Sequence, residues 1–329
     1  MLTVLEYTEY NFGHDEWDHS TLMLRKWQWA KKPNVFWRMP LGYGPANGPR
    51  QDVLGGQRDG SNSTFTTYTI KFNTSRTLLQ NLFPTEQFTF ASPATVVQAS
   101  FACTTLDKMA WLAGGGYSHC GLYIHGVQYK KRDGSTVNGT LCSVLFENLS
   151  DPITTGREEL GMPKLFCSIY PELNGSKARV SMDWRGAKLA ELEWNDLSDP
   201  ITPKRTLNGG NFTTGNSIIG GNTPNPFGVP SDEGILTHRY IPAVGRRGKA
   251  DVEYACLIPN VEKSEERIVE KFQTTRNATF NFTTSQAVGF ETIRHIADRL
   301  SEIPIFSIVE ATVESGRGVD DVGNTVRIE

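Results

Sequence analysis

The chain has 329 residues, and its formal charge of −3 comes from 33 basic and 36 acidic residues that are mixed along the sequence. No basic stripe indicates a nucleic-acid partner, and no apolar run reaches the roughly eighteen residues that a membrane span needs. The N-terminal segment becomes acidic too early for a signal peptide, so we expect a cytoplasmic protein that binds a small molecule, with no nucleic acid and no membrane.

The cysteines and histidines give no sign of a metal or redox centre. The five cysteines are widely spaced and include no Cys-x-x-Cys pair, which indicates buried thiols rather than a disulfide framework or a zinc site. The six histidines are scattered, without a pair at metal-ligand spacing. The sequence also contains no glycine-rich phosphate loop and no Gly-x-Ser-x-Gly elbow. We therefore expect no metal and no cofactor.

Residues 1–60 form a separate compositional block, with Trp17, Trp27, Trp29 and Trp37 among Gly, Pro, Asn and charged residues. No sustained hydrophobic period runs through this block. We interpret it as an N-terminal extension that packs on a main domain at 61–329. Alternatively, the tryptophans line a pocket mouth or an oligomer interface, where aromatic side chains are enriched.

The first half of the main domain alternates between apolar and polar residues, which predicts strands. A helix at about 74–83 is predicted because apolar residues follow helical spacing there and Pro84 ends the pattern. Asp133-Gly134 lies between two apolar runs and predicts a hairpin. The predicted strands are 64–72, 96–105, 121–131 and 140–149.

The second half continues the strand pattern, with a helix at 290–303. The segment 195–234 is dense in Gly, Asn, Pro and Thr and is too long for a plain connection, so it is either a lid over a site or partly disordered. The remaining predicted strands are 177–185, 187–194, 235–244, 252–259, 277–284 and 305–313. Together these elements predict a single-domain, mostly antiparallel α+β fold.

A short segment in the middle of the chain carries the candidate chemistry. Thr155 and Glu158 have the spacing of a capping box, so a helix is predicted to start at Thr155. Gly161 and Pro163 end it within about two turns. Lys164 then opens a strand-like run that we expect to continue to residue 170.

Two interpretations of Lys164 stay open at this point. A lysine in such a run usually lies at a strand edge with its ammonium group in water. Alternatively, Leu160, Met162, Leu165 and Phe166 desolvate the amine, lower its pKa and make it a nucleophile towards carbonyl carbon. The residue pattern alone does not distinguish between them.

The segment Gly156-Arg157-Glu158 followed by Pro163-Lys164 resembles the signature of the acetoacetate decarboxylase superfamily. In that superfamily the lysine forms a Schiff base with a keto acid. The order of elements over about residues 64–316 is also similar to the superfamily. The resemblance implies a cone-like, closed β-barrel with a few short helices, an inward-pointing lysine and a homo-oligomer.

The resemblance also implies site residues. It assigns catalytic roles to Lys164, Arg157 and Glu158. The two pocket glutamates and the arginine of the decarboxylase fall on or near Ala102, His125 and Phe65, so His125 becomes a candidate acid or base and the pocket becomes more apolar. The implied pocket lining is Phe65, Phe101, Ala102, Phe146 and Met162.

One further departure concerns how the amine is activated. The decarboxylase has a second lysine directly after the first, where this chain has Leu165. Acetoacetate decarboxylase is itself the standard example of a lysine activated by its apolar surroundings or a cationic neighbour. Without the second lysine, we expect activation by burial, helped by Arg157.

The expected function is that of a Schiff-base-forming lyase acting on a ketone or β-keto acid that is larger and more apolar than acetoacetate. An aldolase, dehydratase or cyclase on the same scaffold is an alternative, since all of these reactions pass through the same imine. A second alternative is a barrel that binds a hydrophobic ligand without chemistry.

Overall fold

The structure is a computed structural model that describes residues 35–49, 51–56, 58–199, 232–259, 268–283, 289–318 and 325–329. The chain divides into two compact units, Met1–Asp59 and Gly60–Glu329. The described part of the first unit contains a short 3-10 turn, Leu41–Tyr43. Three of the N-terminal tryptophans and residues 200–231 of the predicted lid lie outside the described residues, so both hypotheses stay predictions.

Strands make up most of the regular secondary structure in the described part of the second unit, because apolar and polar residues alternate along these segments. The strands are β1 (Thr64–Ser75), β2 (Phe88–Phe90), β3 (Val96–Asp107), β4 (Tyr117–Lys130), β5 (Thr136–Glu147), β6 (Lys164–Phe166), β7 (Ser168–Asn174), β8 (Lys177–Trp184), β9 (Ala187–Trp194), β10 (Gly234–Pro242), β11 (Ala250–Pro259), β12 (Ile268–Thr275), β13 (Ala278–Phe282), β14 (Ser307–Arg317) and β15 (Val326–Ile328). The helices are α1 (Arg76–Gln80), α2 (Ser150–Thr155) and α3 (Arg294–Ser301), with a 3-10 turn at Ala110–Leu112 and a π-helical turn at Gly156–Leu160.

Within the part of the chain that the structure describes, eleven strands form a main sheet in the order β12-β14-β1-β3-β4-β5-β10-β11-β15, with β2 beside β4 and β6 beside β5. Neighbours are antiparallel except at β5–β10 and β5–β6. Strands β13, β9, β8 and β7 form a second antiparallel sheet. The predicted mostly antiparallel α+β class is confirmed. No pairing between described strands joins β12 to β15, so these pairings do not form the closed barrel that the resemblance implied.

The hairpin predicted at Asp133-Gly134 is present. Gly134 has φ of 87°, in the left-handed region where glycine has no steric penalty. The Asp133 carboxylate accepts hydrogen bonds from the backbone N–H of Ser135 at 2.8 Å and from its hydroxyl at 2.6 Å. These contacts fix the turn, and β4 and β5 pair directly across it.

Several boundaries differ from the predictions. The helices predicted at about 74–83 and at 290–303 are shorter than expected. The run predicted from Lys164 to residue 170 is two strands, β6 and β7, which belong to different sheets. The buried residue Cys167 separates them. The prediction missed β2, β12 and β15. Strands β2 and β15 are only three residues long, and β12 lies at an end of the described main sheet without a regular alternation of buried and exposed residues.

The main core lies between one face of the main sheet and the second sheet, with α3 against it. Phe72 and Phe101 of the main sheet contact Phe280 of β13, each with ring centroids 4.7 Å apart. The buried Trp194 of β9 donates a hydrogen bond to the backbone oxygen of Thr69 in β1 at 3.0 Å. These contacts fix the second sheet against the main sheet.

Two of the five cysteines, both in the main core, are not the thiols that the sequence predicted. Cys103 and Cys120 are directly opposite each other on β3 and β4 and form a disulfide. The expectation of thiols is therefore wrong for this pair, because strand register brings together two residues whose sequence spacing gives no sign of pairing. Cys142, Cys167 and Cys256 are buried thiols.

The opposite face of the main sheet carries many buried polar side chains instead of an apolar surface. Its members include Thr67, Ser100, Thr104, His119 and Glu147, none more than 3% exposed. Burial of polar groups is costly unless they are hydrogen-bonded or paired. A face of this kind therefore marks the part of the fold where function is expected.

No helix among the described residues is long and apolar enough to cross a membrane.

Candidate active site

Lys164 begins β6, which pairs in parallel with β5 so that Lys164 lies opposite Leu145. The residue is only 6% exposed. Its Nζ lies 2.8 Å from Oε1 of Glu147 and donates a hydrogen bond to the backbone oxygen of Pro152 at 3.0 Å. The interpretation that places the ammonium group of Lys164 in water is therefore wrong, because protein encloses the amine.

The chain before Lys164 is helical over a longer stretch than predicted. Helix α2 begins at Ser150, so the predicted start at Thr155 is wrong: the Thr155 hydroxyl donates to the backbone oxygen of Pro152 at 3.2 Å and does not cap a helix. A proline in the first turn is compatible with a helix, since its missing N–H has no partner there. The π-helical turn follows, and Gly161 ends it with φ of 70°, as predicted.

Gly156 has a direct packing reason to be glycine. A methyl group at this position would overlap Cδ, Cε and Nζ of Lys164. The lysine side chain therefore passes over the bare backbone of the π-helical turn to reach Pro152 and Glu147. π-helical turns of this kind are frequent at functional sites.

Glu147 is a site residue that the sequence did not reveal. It is the last residue of β5 and is 1% exposed. Burial raises the pKa of its carboxyl group above the usual value, and the charge and hydrogen bond of Lys164 oppose that rise. Within the described residues its second oxygen, Oε2, has no hydrogen-bond partner. Glu147 is therefore a carboxyl group suited to exchange a proton with the amine.

His119 lies on β4 directly opposite Glu147 and is also 1% exposed. Burial, with the charge of Lys164 as a second cause, lowers the pKa of His119 to about 3. The ring is therefore neutral near pH 7. The next positions across the sheet are Thr104 and Thr67, whose hydroxyl oxygens lie 3.0 Å apart. A polar row thus crosses the sheet and ends at Lys164.

An apolar cluster, called here the apolar strip, lies beside this row. Its members are Ala102, Tyr123, Cys142, Leu145, Leu160, Met162, Ile235 and Ile258. Burial raises the pKa of Tyr123, and it raises that of Cys142 to about 12, so both side chains are neutral near pH 7. The amine thus has a polar row on one side and neutral, mostly apolar side chains on the other.

Comparisons with known proteins bear on this arrangement. The model of the acetoacetate decarboxylase (ADC) family matches residues 38–254, which is more than half of the chain. The chain belongs to the acetoacetate decarboxylase family. Comparison with curated proteins found no match.

Solved structures of this family have a similar fold. A structure of acetoacetate decarboxylase is 13% identical, with 91% of this chain and 98% of that chain covered and a TM-score of 0.55. Acetoacetate decarboxylase from Legionella pneumophila is 14% identical, with 82% of this chain and 86% of that chain covered and a TM-score of 0.51. At these identities the likeness shows the fold alone.

The other residues of the family signature have distinct positions. Arg157 donates a hydrogen bond from Nη1 to the backbone oxygen of Lys164 at 2.9 Å. It thus holds the strand that carries the lysine, and this contact is with the backbone, not with the amine that it was expected to activate. Glu158 is half-buried within the π-helical turn. Leu165, at the place of the decarboxylase's second lysine, packs against the main core.

The structure divides the expected pocket residues into three groups. Ala102 and Met162 belong to the apolar strip. Phe65 belongs to a separate cluster with Tyr117. Phe101 and Phe146 belong to the main core on the opposite face of the sheet, because residues one position apart on a strand face opposite sides.

His125, the expected acid or base, lies on the same face as His119 but further along β4. Its ring contacts Ser100 and Thr140 rather than the pair formed by Lys164 and Glu147. Among the described residues no group of three or more His, Cys, Asp or Glu side chains is placed to hold a metal ion. The group near the amine that suits proton transfer is therefore the carboxyl of Glu147.

Proposed function

We propose that this protein is a Schiff-base-forming enzyme of the lyase type, in which Lys164 attacks the keto carbon of a ketone or β-keto acid. One observation carries the proposal: a buried amine lies 2.8 Å from a buried carboxylate oxygen in a chain of the acetoacetate decarboxylase family. A buried Lys–Glu pair is costly to maintain for stability alone. A catalytic use accounts for that cost.

The first step is a proton transfer within the pair. Glu147 takes one proton from the ammonium group of Lys164, which leaves a neutral amine and a neutral carboxylic acid. Burial disfavours the charged form of Glu147 and so favours its role as the proton acceptor. The raised pKa of Glu147 has the same cause.

The free amine then adds to the keto carbon, and a proton moves from nitrogen to the former keto oxygen to give a carbinolamine. Glu147 protonates that hydroxyl group, which leaves as water, and the product is a protonated imine beside a restored carboxylate. Such proton transfer by a positioned side chain contributes about 10²–10⁴-fold to a rate.

The iminium then accepts the electrons of a bond to the neighbouring carbon. Loss of CO2, loss of a proton or loss of an aldehyde would each leave an enamine on Lys164. Decarboxylation is the first expectation for a member of this family, and aldol, dehydration or cyclisation outcomes use the same intermediate. The apolar strip, which includes Leu145 and Met162, favours a substrate more apolar than acetoacetate.

Borohydride reduction tests this proposal, because it converts an iminium into a stable secondary amine. The protein is incubated with a panel of ketones and β-keto acids, reduced, and measured by intact mass alongside turnover. We expect a single adduct with at least one class of ketone, and turnover of the same class. Turnover of a keto substrate without any reducible adduct would overturn the Schiff-base mechanism.

A further inference from the structure

A second polar cluster lies on the same sheet face as Lys164. The hydroxyl oxygen of Ser100 is 2.7 Å from Nε2 of His125, and Nδ1 of that ring is 3.2 Å from the hydroxyl oxygen of Thr140. Thr140 in turn donates a hydrogen bond to Oδ2 of Asp232 at 2.5 Å. Side chains from β3, β4 and β5 thus form one connected chain with Asp232, which lies two residues before β10.

The hydrogen bonds of this chain run in one direction. An ionised Asp232 only accepts hydrogen bonds, so the hydroxyl of Thr140 donates to it. The oxygen of Thr140 then accepts from Nδ1–H of His125, and Nε2 accepts the proton of Ser100. The lone pairs of the Ser100 oxygen are therefore available to accept a hydrogen bond from a ligand.

Lys71 adds a donor to the cluster. It lies on β1 directly opposite Ser100. Burial lowers the pKa of its amine, while Glu310 and Asp232 are near enough to oppose that shift. In the described part of the chain its Nζ makes no hydrogen bond or ion pair. An acceptor at Ser100 and a donor at Lys71 together match a hydroxyl group, which donates one hydrogen bond and accepts others.

The apolar strip lies between this cluster and Lys164. Lys164 lies level with Gly121 across β5, and His125 is four residues further along β4. At about 3.3 Å per residue the two levels are roughly 13 Å apart along the strand. Tyr123 of the apolar strip lies between them on β4, and Ala102 of the apolar strip lies opposite Gly121 at the level of Lys164.

We propose that Lys71 and Ser100, with His125, Thr140 and Asp232 behind them, form a second subsite that binds a hydroxyl group at the far end of the ketone substrate. This inference rests on the proposed function of Lys164. It narrows the substrate to an extended ketone or β-keto acid whose apolar middle section lies on the apolar strip. In this arrangement Lys71 and Ser100 contact the substrate, and His125 is a positioning residue for Ser100.

Matched ketones test the subsite. A series of 2-alkanones of increasing length is compared with the corresponding ω-hydroxy-2-alkanones, and the borohydride-trapped adduct is measured for each. Hydrogen bonds that involve a charged group contribute about 1.5–3 kcal/mol, so we expect the hydroxylated member to be trapped at least about tenfold more efficiently once its length spans the two sites.

Variants assign the preference to named residues. In Ser100→Ala and Lys71→Met the ratio of trapping between the two ketones should fall to near one, and Ser100→Thr, which keeps the hydroxyl, should restore it. Equal trapping of both ketones by the wild-type protein at every length would overturn the subsite while leaving Lys164 chemistry intact. Retention of the full ratio in Ser100→Ala would also overturn it. Absence of an adduct with either series would instead count against the proposed function.

Discussion

Nζ of Lys164 and Oε1 of Glu147 lie 2.8 Å apart, and neither side chain is more than 7% exposed. Removal of one member of such a pair leaves the other buried without its partner, which typically costs about 3–5 kcal/mol. The pair therefore couples the stability of this region to its proposed chemistry. The two roles are separable by experiment, since a neutral isostere removes the proton-transfer group and keeps the shape.

Glu147→Gln is the first such test. Glutamine fills the same space but does not take a proton from Lys164 or give one to the carbinolamine. We expect the rate of imine trapping to fall by about 10²–10⁴-fold. The same substitution at Glu172, which is exposed on β7, serves as the control and should leave the rate unchanged. A Glu147→Gln rate within twofold of the wild-type rate would exclude Glu147 as the acid–base group.

Gly156→Ala tests the passage of the lysine over the π-helical turn. The new methyl group would overlap the end of the Lys164 side chain, so we expect trapping to be nearly lost and the free energy of unfolding to fall by about 1–3 kcal/mol. Gly175→Ala is a matched control, because Gly175 has φ of 61° and no atom within 4 Å of the added Cβ. It should cost about 1–2 kcal/mol of backbone strain but keep trapping. Equal trapping in the two variants would contradict this account.

His119 makes the protein sensitive to acid. Its pKa is about 3 in the folded chain against a reference value of 6.5, so the unfolded chain binds more protons between these values. Its contribution to stability is present above pH 6.5 and is lost as the pH falls. Between pH 7 and pH 5, wild type should lose about 2 kcal/mol more than His119→Gln does.

Urea unfolding at pH 7 and pH 5 measures this difference. His295→Gln is the control, because His295 is exposed on α3 and should leave the pH response of the wild-type protein unchanged. Identical pH responses of wild type and His119→Gln would show that His119 is not held neutral by burial.

The contribution of Asp232 to stability changes with pH in the opposite direction to that of His119. Burial, the largest cause, raises its pKa from 3.8 to about 6, so the folded chain binds more protons between these values and stability falls as the pH rises through them. Asp232→Asn removes this titration. From pH 4.5 to pH 6.5 the wild-type protein should lose at most about 2 kcal/mol relative to the variant. Parallel unfolding free energies of the two proteins over this range would contradict a pKa of Asp232 that burial raises to about 6.

The local elements of the fold were largely predictable, because they depend on short-range patterns. Alternation located β8 and β9, and the Asp133-Gly134 turn located the β4–β5 hairpin. The family signature predicted Lys164 as the candidate residue. The structure gives a packing reason for Gly156, the first residue of that signature, because Gly156 packs against the lysine side chain.

The partners of Lys164 were not predictable in the same way, because they depend on the register between distant strands. Glu147 ends an apolar run and gave no local signal. The expected position Ala102 lies on the correct face of β3, but the residue in the polar row is Thr104, two positions further. A shift of two residues keeps the face and changes the neighbours. Phe101 and Phe146 are each one position away from a residue on this face, and their side chains therefore lie on the opposite face, in the main core.

The most direct test of the central claim is to locate the borohydride adduct by peptide mapping. Lys164 is buried and Lys71 is half-buried on the same sheet face, and peptide mapping distinguishes an adduct on one amine from an adduct on the other. We predict that the adduct lies on Lys164 alone and that Lys164→Met, which keeps a similar volume, forms none. An adduct on Lys71 in the wild-type protein, or full turnover by Lys164→Met, would contradict the account.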